Sequence, residues 1–226
     1  MTLSESGDFF EKIGFILGLS LLLVLAGCGG DADQAQPTKP AAQQSKNEPS
    51  KDASGNLTFT EVGQEADVPN VGHVTLKKIK TVNETVDLKP ITVTIKDIKL
   101  FHVENLSSEL KQGIESLSQT KVGDTLDYIQ IQYSAENTSD QNVIFNGIST
   151  ITTNTGQQIE VAFNDFLLDD EMQMSDYLGK VKKDGLLGVP VKKADEIKHL
   201  KLFFDMVSAE ASGETLKEAQ KVEYDF

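Results

Sequence analysis

The chain has 226 residues, 38% of them hydrophobic, with 21 basic and 35 acidic side chains and a net charge of −14. Every basic side chain is lysine, and this charge excludes a nucleic-acid binder, which needs a basic footprint. A single cysteine excludes a disulfide framework or a thiolate zinc site, and the length suits one ordinary domain with appendages.

Residues Ile13 to Ala26 form an uncharged apolar run of 14 residues. A spanning helix needs about 20, so the run reads as the apolar region of a secretory signal. It ends in Leu25-Ala26-Gly27-Cys28, which resembles the lipobox of bacterial lipoproteins. That resemblance implies diacylglyceryl transfer to the Cys28 sulfur, cleavage before Cys28, and a mature chain held at the extracytoplasmic face of the cell membrane. The segment before the run is acidic, with Glu5, Asp8 and Glu11 against Lys12. Either Lys12 suffices as the positive flank, or translation begins downstream of Met1. Loss of residues 1–27 leaves a mature charge of −12. Two acyl chains hold a protein firmly to a bilayer where one holds it only marginally.

From Gly29 to Asn56 the chain contains no aromatic residue and no Val, Ile, Leu or Met. Such a segment buries too little apolar area to offset its ordering entropy and is expected to be a disordered tether. As a flexible coil it reaches about 30 Å. The expected organisation is a signal peptide over 1–27, lipidated Cys28 with its linker over 28–56, and a folded domain over 57–226.

The body reads mainly in period two. Ile91, Val93 and Ile95 alternate, and the apolar phase then shifts to Ile98 and Leu100, the mark of a β-bulge or bend. Leu106, Leu110, Ile114 and Leu117 follow helical spacing behind Ser107 and Ser108 as N-caps, although Gly113 weakens that helix. Ile129, Ile131, Tyr133 and Ala135 share one strand face, with Gln130, Gln132 and Ser134 on the other. After the turn-like stretch 137–142 comes VIFNGISTITT, then Asn154-Thr155-Gly156 as a hairpin turn, with Ile159, Val161 and Phe163 returning. Further strands are predicted at 185–191, 197–207 and 221–226. Many short strands with one minor helix predict an all-β antiparallel sandwich.

The segment from Tyr128 to Val161 resembles a family of bacterial lipoproteins with an immunoglobulin-like domain of unknown function, of the mycobacterial immunoprotective-antigen-like kind. The resemblance is carried by Asn137-Thr138-Ser139-Asp140 and by Asn154-Thr155-Gly156-Gln157. The later Gly185-Leu186-Leu187-Gly188-Val189-Pro190 matches the start of the family's Gly-rich strand but lacks its aromatic residue. The resemblance spans roughly residues 70–207 and implies an immunoglobulin-like β-sandwich. It transfers no catalytic residue.

Chemistry-bearing patterns are few. There is no G-x-S-x-G elbow, Walker loop or G-x-G-x-x-G, and lipidation of Cys28 leaves no thiol. His102 and Glu104, at i and i+2 on a predicted strand, share a face and could join a metal site if a further ligand came near, or be a surface pair. Asp165, Asp169, Asp170, Glu171 and Asp176 lie in a lysine-free acidic stretch. They are candidate hard-oxygen ligands for Ca²⁺, although the spacing is not that of a helix–loop–helix calcium loop, and an amphipathic connector with a solvated acidic face explains the stretch as well. Residues 180–201 carry seven lysines, among them Lys180, Lys182, Lys183, Lys192 and Lys193. These form a candidate patch for an acidic partner or a phosphate-rich wall polymer, or they keep strand edges soluble.

The sequence therefore points to a non-enzymatic interaction module anchored in the membrane, whose partner is a protein or a cell-wall polymer and not nucleic acid. No cofactor is expected for this reading, and Ca²⁺ enters only with the alternative. The alternative is a small-ligand or Ca²⁺-binding lipoprotein, working beside a transporter, that uses the acidic stretch 160–176.

Overall fold

Strand alternation and helix capping account for most of the architecture. The computed structural model describes residues 47–52, 55–118, 121–169, 172 and 174–226. It begins with the short pair β1 (Ser50–Lys51) and β2 (Leu57–Thr58), followed by β3 (Glu65–Val68), β4 (Gly72–Leu88) and β5 (Ile91–Glu104). Helix α1 (Ser108–Ser118) leads into β6 (Thr125–Asn137), β7 (Val143–Phe145), β8 (Ile148–Thr153) and β9 (Gln158–Glu160). Then come β10 (Asp176–Tyr177), β11 (Lys182–Val191), β12 (His199–Phe204), β13 (Val207–Ala209), β14 (Thr215–Lys217) and β15 (Gln220–Asp225).

One layer is a five-stranded antiparallel sheet in the order β11-β6-β5-β4-β3. Opposite it lie two four-stranded ladders, β15-β12-β8-β9 and β10-β7-β13-β14. Because β7 runs on into β8 and β12 into β13, these ladders are the two halves of one bent layer. The bend is held by the Asp205 N–H donating to Gly147 O at 3.0 Å and by Asn146 Nδ2 donating to Asp205 Oδ2 at 2.6 Å. Gly147 has φ +74°, and a Cβ there would stand 2.8 Å from the Tyr133 hydroxyl of the facing layer. The result is an antiparallel all-β sandwich with one short α-helix among the described residues.

The main core fills the space between the layers. Ile95, Ile98, Leu100, Ile129 and Ile131 from the first layer meet Ile151, Leu200, Leu202 and Val207 from the second, all fully buried. Burial of each such side chain contributes roughly 1.5–3 kcal/mol. A second core lies on the outer face of the five-stranded sheet, where Leu110 and Ile114 of α1 pack with Val74, Leu76, Phe101 and Val103. Ser107 caps the helix, its Oγ accepting the Leu110 N–H at 3.1 Å. Across this outer face runs an aromatic ladder: Phe59 edge-on to Phe101 at 5.3 Å, Phe101 stacked on Tyr128 at 5.1 Å, and Tyr128 edge-on to Phe166 at 5.2 Å. With both faces of β5 covered, Ile98 to Phe101 are buried in succession. The predicted phase shift is a register shift between Ile95 and Asp97 in the β5–β6 pairing.

Two expectations are corrected. Val161 and Phe163 do not continue a strand: β9 ends at Glu160 and Val161–Phe163 form a 3-10 turn that leaves Phe163 exposed. The alternation there is local, and the chain turns to bring Asp165 and Phe166 onto β11. The folded body also starts before residue 57. β1 pairs with β2, and the Glu65 N–H donates to Asn47 O at 2.8 Å. Backbone hydrogen bonds, the Gln64 side chain, whose Nε2 donates to Glu48 O at 3.4 Å, and the buried Pro49 order this stretch.

The two motifs behind the family resemblance are structural. Asn137 is fully buried where the chain leaves the five-stranded layer; its Oδ1 accepts the Ser139 N–H at 3.0 Å and its Nδ2 donates to Gln141 O at 2.7 Å. Asn154 accepts the N–H groups of Lys198 and His199 at 2.8 and 3.1 Å, which ties the β8–β9 turn to β12.

Candidate functional site

The acidic stretch after β9 wraps the outer edge of β11. Asp165 Oδ1 accepts the N–H groups of Gly188 at 2.9 Å and Leu167 at 3.1 Å, while the Phe166 N–H donates to Gly188 O at 3.0 Å. Asp169 Oδ2 accepts the Leu186 N–H at 3.2 Å. These contacts occupy backbone groups that an edge strand otherwise leaves unpaired. The glycines of the G-x-x-G segment make room for the crossing. A Cβ on Gly188 would lie 2.7 Å from Leu167 Cγ, and one on Gly185 would collide with Met172 Cγ. Burial pushes the Asp165 carboxyl up to about 6, against the pull of its backbone N–H donors. Asp176 is elsewhere, exposed in β10 opposite Ile144 of β7. The described carboxylates of the calcium candidate thus go to different ladders, two of them to backbone amides. Asp170 and Glu171 lie outside the described residues, as do Leu25, Ala26, Gly27 and Cys28.

The lysine stretch is largely matched with acids. Lys180 lies 3.3 Å from Asp140, Lys182 lies 3.5 Å from Asp184, and Lys193 lies 3.9 Å from Glu196. Lys183 Nζ sits 4.3 Å from the Tyr177 ring centroid. Lys192 contributes its backbone N–H to Gln157 Oε1 at 2.8 Å. Exposed pairs of this kind are worth about 0–1 kcal/mol each, and they lower the local positive charge that a polyanion would meet.

The histidines share one pattern. His102 Nδ1 lies 2.6 Å from Asp127 and its Nε2 lies 3.6 Å from Glu104. His73 is 2.8 Å from Asp67 and 3.7 Å from Glu65, and His199 is 2.8 Å from Asp225 and 3.3 Å from Glu223. Register places His73 directly opposite Glu104, so two of the three clusters adjoin at one end of the sheet. Among the described residues, no group of three or more His, Cys, Asp or Glu has a metal-holding arrangement.

A different cluster emerges on the outer face, beside the aromatic ladder. Thr81, Asp97 and Gln132 stand in one cross-strand row, and Ile79, Lys99 and Gln130 in the next. The segment Leu57–Thr60 passes over them, with Phe59 on Phe101, and encloses a recess of 150 Å³. Lys99, 8% exposed, lies with its Nζ 3.2 Å from Asp97 Oδ2, and Gln130 is only 1% exposed. Asp97 Oδ1 and Gln130 Nε2 are buried without a hydrogen-bond partner. Register shifts surround the recess, at Leu76/Lys78 and Thr81/Glu84 in β4 and at Ile95/Asp97 in β5. Bulges of this kind re-aim side chains and are over-represented beside functional sites. Sequence reasoning missed this cluster because Gln130 and Gln132 read as solvent-facing. The phase shift at Lys96 was the only signal that Asp97 turns inward.

No family model matches the chain. A Bacillus subtilis (strain 168) protein bearing the name "Uncharacterized protein YdhF" is 24% identical over 240 residues, covering 92% of this chain and 97% of that protein. Among solved structures, a functionally unknown protein from Listeria monocytogenes EGD-e is 15% identical, with a TM-score of 0.49 over 69% of this chain and 88% of that one.

Proposed function

We propose that this protein is a lipid-anchored, extracytoplasmic binding module with an immunoglobulin-like domain, working at the cell envelope without catalysis of its own. The observation that carries the anchor is Leu25-Ala26-Gly27-Cys28, standing directly behind a 14-residue apolar run and holding the sole cysteine. The observation that favours binding is the recess at Asp97, Lys99 and Gln130, a buried polar site with an acceptor and a donor left unspent. Its partner is a protein or wall polymer reached from the membrane through the linker that follows Cys28.

In-cell cross-linking of the full chain, followed by mass spectrometry, tests this reading. Recurrent links from the outer face around Leu57–Thr60 to one envelope component are expected. A protein that emerges without a recurrent partner contradicts the module.

A further inference from the structure

We propose that the recess beneath Leu57–Thr60 takes a secondary amide of acetamide size, the group carried by N-acetylated amino sugars and by acylated peptides. This rests on the reading of the chain as a binding module and narrows what the module holds. The first support is hydrogen-bond accounting. Buried polar atoms without partners are uncommon and cost roughly 1–3 kcal/mol each, yet Asp97 Oδ1 and Gln130 Nε2 meet here with neither satisfied. One is an acceptor and the other a donor, so the complementary ligand presents one donor and one acceptor, as a secondary amide does.

Spacing and charge restrict the ligand further. Asp97 pairs with Gln132 and Lys99 with Gln130, so Asp97 and Gln130 stand diagonally on neighbouring strands. Diagonal positions lie about 7–8 Å apart. Side chains on such positions can reach one small group between them, and a trans secondary amide directs its N–H and C=O to opposite sides, as two partners on neighbouring strands require. Lys99 already faces Asp97 at 3.2 Å, so the pair is internally neutralised and a neutral guest fits better than an ion. Phe59, Phe101 and Ile79 supply an apolar wall for a methyl group. The volume of 150 Å³ equals the liquid share of about five waters at roughly 30 Å³ each. That admits an acetamido group and leaves the body of its carrier at the rim, where Thr60 and Thr81 are exposed.

The test is ligand-observed NMR on the full chain in detergent micelles. The probes are the disaccharide of N-acetylglucosamine, glucosamine as the control without the amide, and N-acetylalanine amide for the peptide source. Saturable binding of an acetyl probe is expected, with contacts from its methyl protons to the rings of Phe59 and Phe101 and no response from glucosamine. Preference for the sugar or for the peptide amide identifies the source. Gln130→Met keeps the bulk and removes the donor, so it is expected to weaken binding about tenfold or more while thermal stability holds or rises. If that variant does not fold, the ring contacts in the wild-type chain decide alone. No saturable response to either amide, an equal response to glucosamine, or binding unchanged in Gln130→Met overturns the proposal. Such a failure leaves the cross-linking outcome untouched, so the two readings fail separately.

Discussion

Asp165 Oδ1 accepts the Gly188 N–H at 2.9 Å, so a buried carboxylate stands where a neighbouring strand would otherwise complete the edge of β11. Phe166 returns a hydrogen bond to Gly188 O, and Asp169 takes the Leu186 N–H two residues away. A stretch that charge alone marks as a cation site thereby acts as an edge cover.

This arrangement has a pH signature. With its carboxyl pushed up to about 6 from an ordinary 3.8, Asp165 holds its proton more tightly in the folded state than in the unfolded one. Its contribution is therefore complete below the ordinary value and is lost as pH rises through about 6, up to roughly 3 kcal/mol. Asp165→Asn keeps an accepting oxygen and removes the titration. Denaturation midpoints across about pH 4 to 7.5, a range that brackets that transition, should shift in favour of the variant as pH rises. Parallel curves would contradict the assignment.

Gly188 is the partner position. A Cβ there meets Leu167, a side chain 1% exposed, and overpacking of this kind costs about 1–3 kcal/mol. Gly188→Ala should lower the denaturant midpoint, and Leu167→Ala in the same chain should make the alanine at 188 less costly than it is alone. Strict additivity of the two changes in a double-mutant cycle would show that they do not touch.

Calcium offers a direct check on the same stretch. With Asp165 and Asp169 engaged by backbone amides, millimolar Ca²⁺ should leave the thermal midpoint unchanged. A rise that saturates with calcium would restore the acidic stretch as a cation site.

The hydrogen bond that His73 donates to Asp67 raises the His73 pKa above 6.5 against the opposing effect of burial, with smaller contributions from the charges of Asp67 and Glu65. NMR titration should place the His73 midpoint above 6.5, and Asp67→Asn should move it down. The stabilisation from this pair is present below the ordinary value and fades as pH rises through the raised one. A midpoint at or below 6.5 in the wild-type chain would refute the pairing.

The legible parts of the fold were those where one physical signal dominates. Ile129 to Ala135 alternate because one face packs in the main core, and Leu110 and Ile114 sit on one helix face behind the Ser107 cap, with Leu106 buried just before it. β4 was illegible because two register shifts, at Leu76/Lys78 and Thr81/Glu84, break its alternation. The candidate recess was hidden for another reason. Asp97 and Gln130 come from different strands, and only register joins them, while the cover over Gln130 comes from Leu57–Thr60, before either strand. Asp165 likewise looked like one acid among several, because burial beside β11 cannot be read from charge.

The anchor is the claim on which the cellular role depends, and mass spectrometry of the N-terminal peptide from the membrane fraction tests it most directly. The account predicts a peptide that begins at Cys28 and carries a diacylglyceryl group, and a Cys28→Ala chain that is neither lipidated nor processed at that site. A wild-type chain that retains the residues before Cys28, or one whose Cys28 is unmodified, would contradict it.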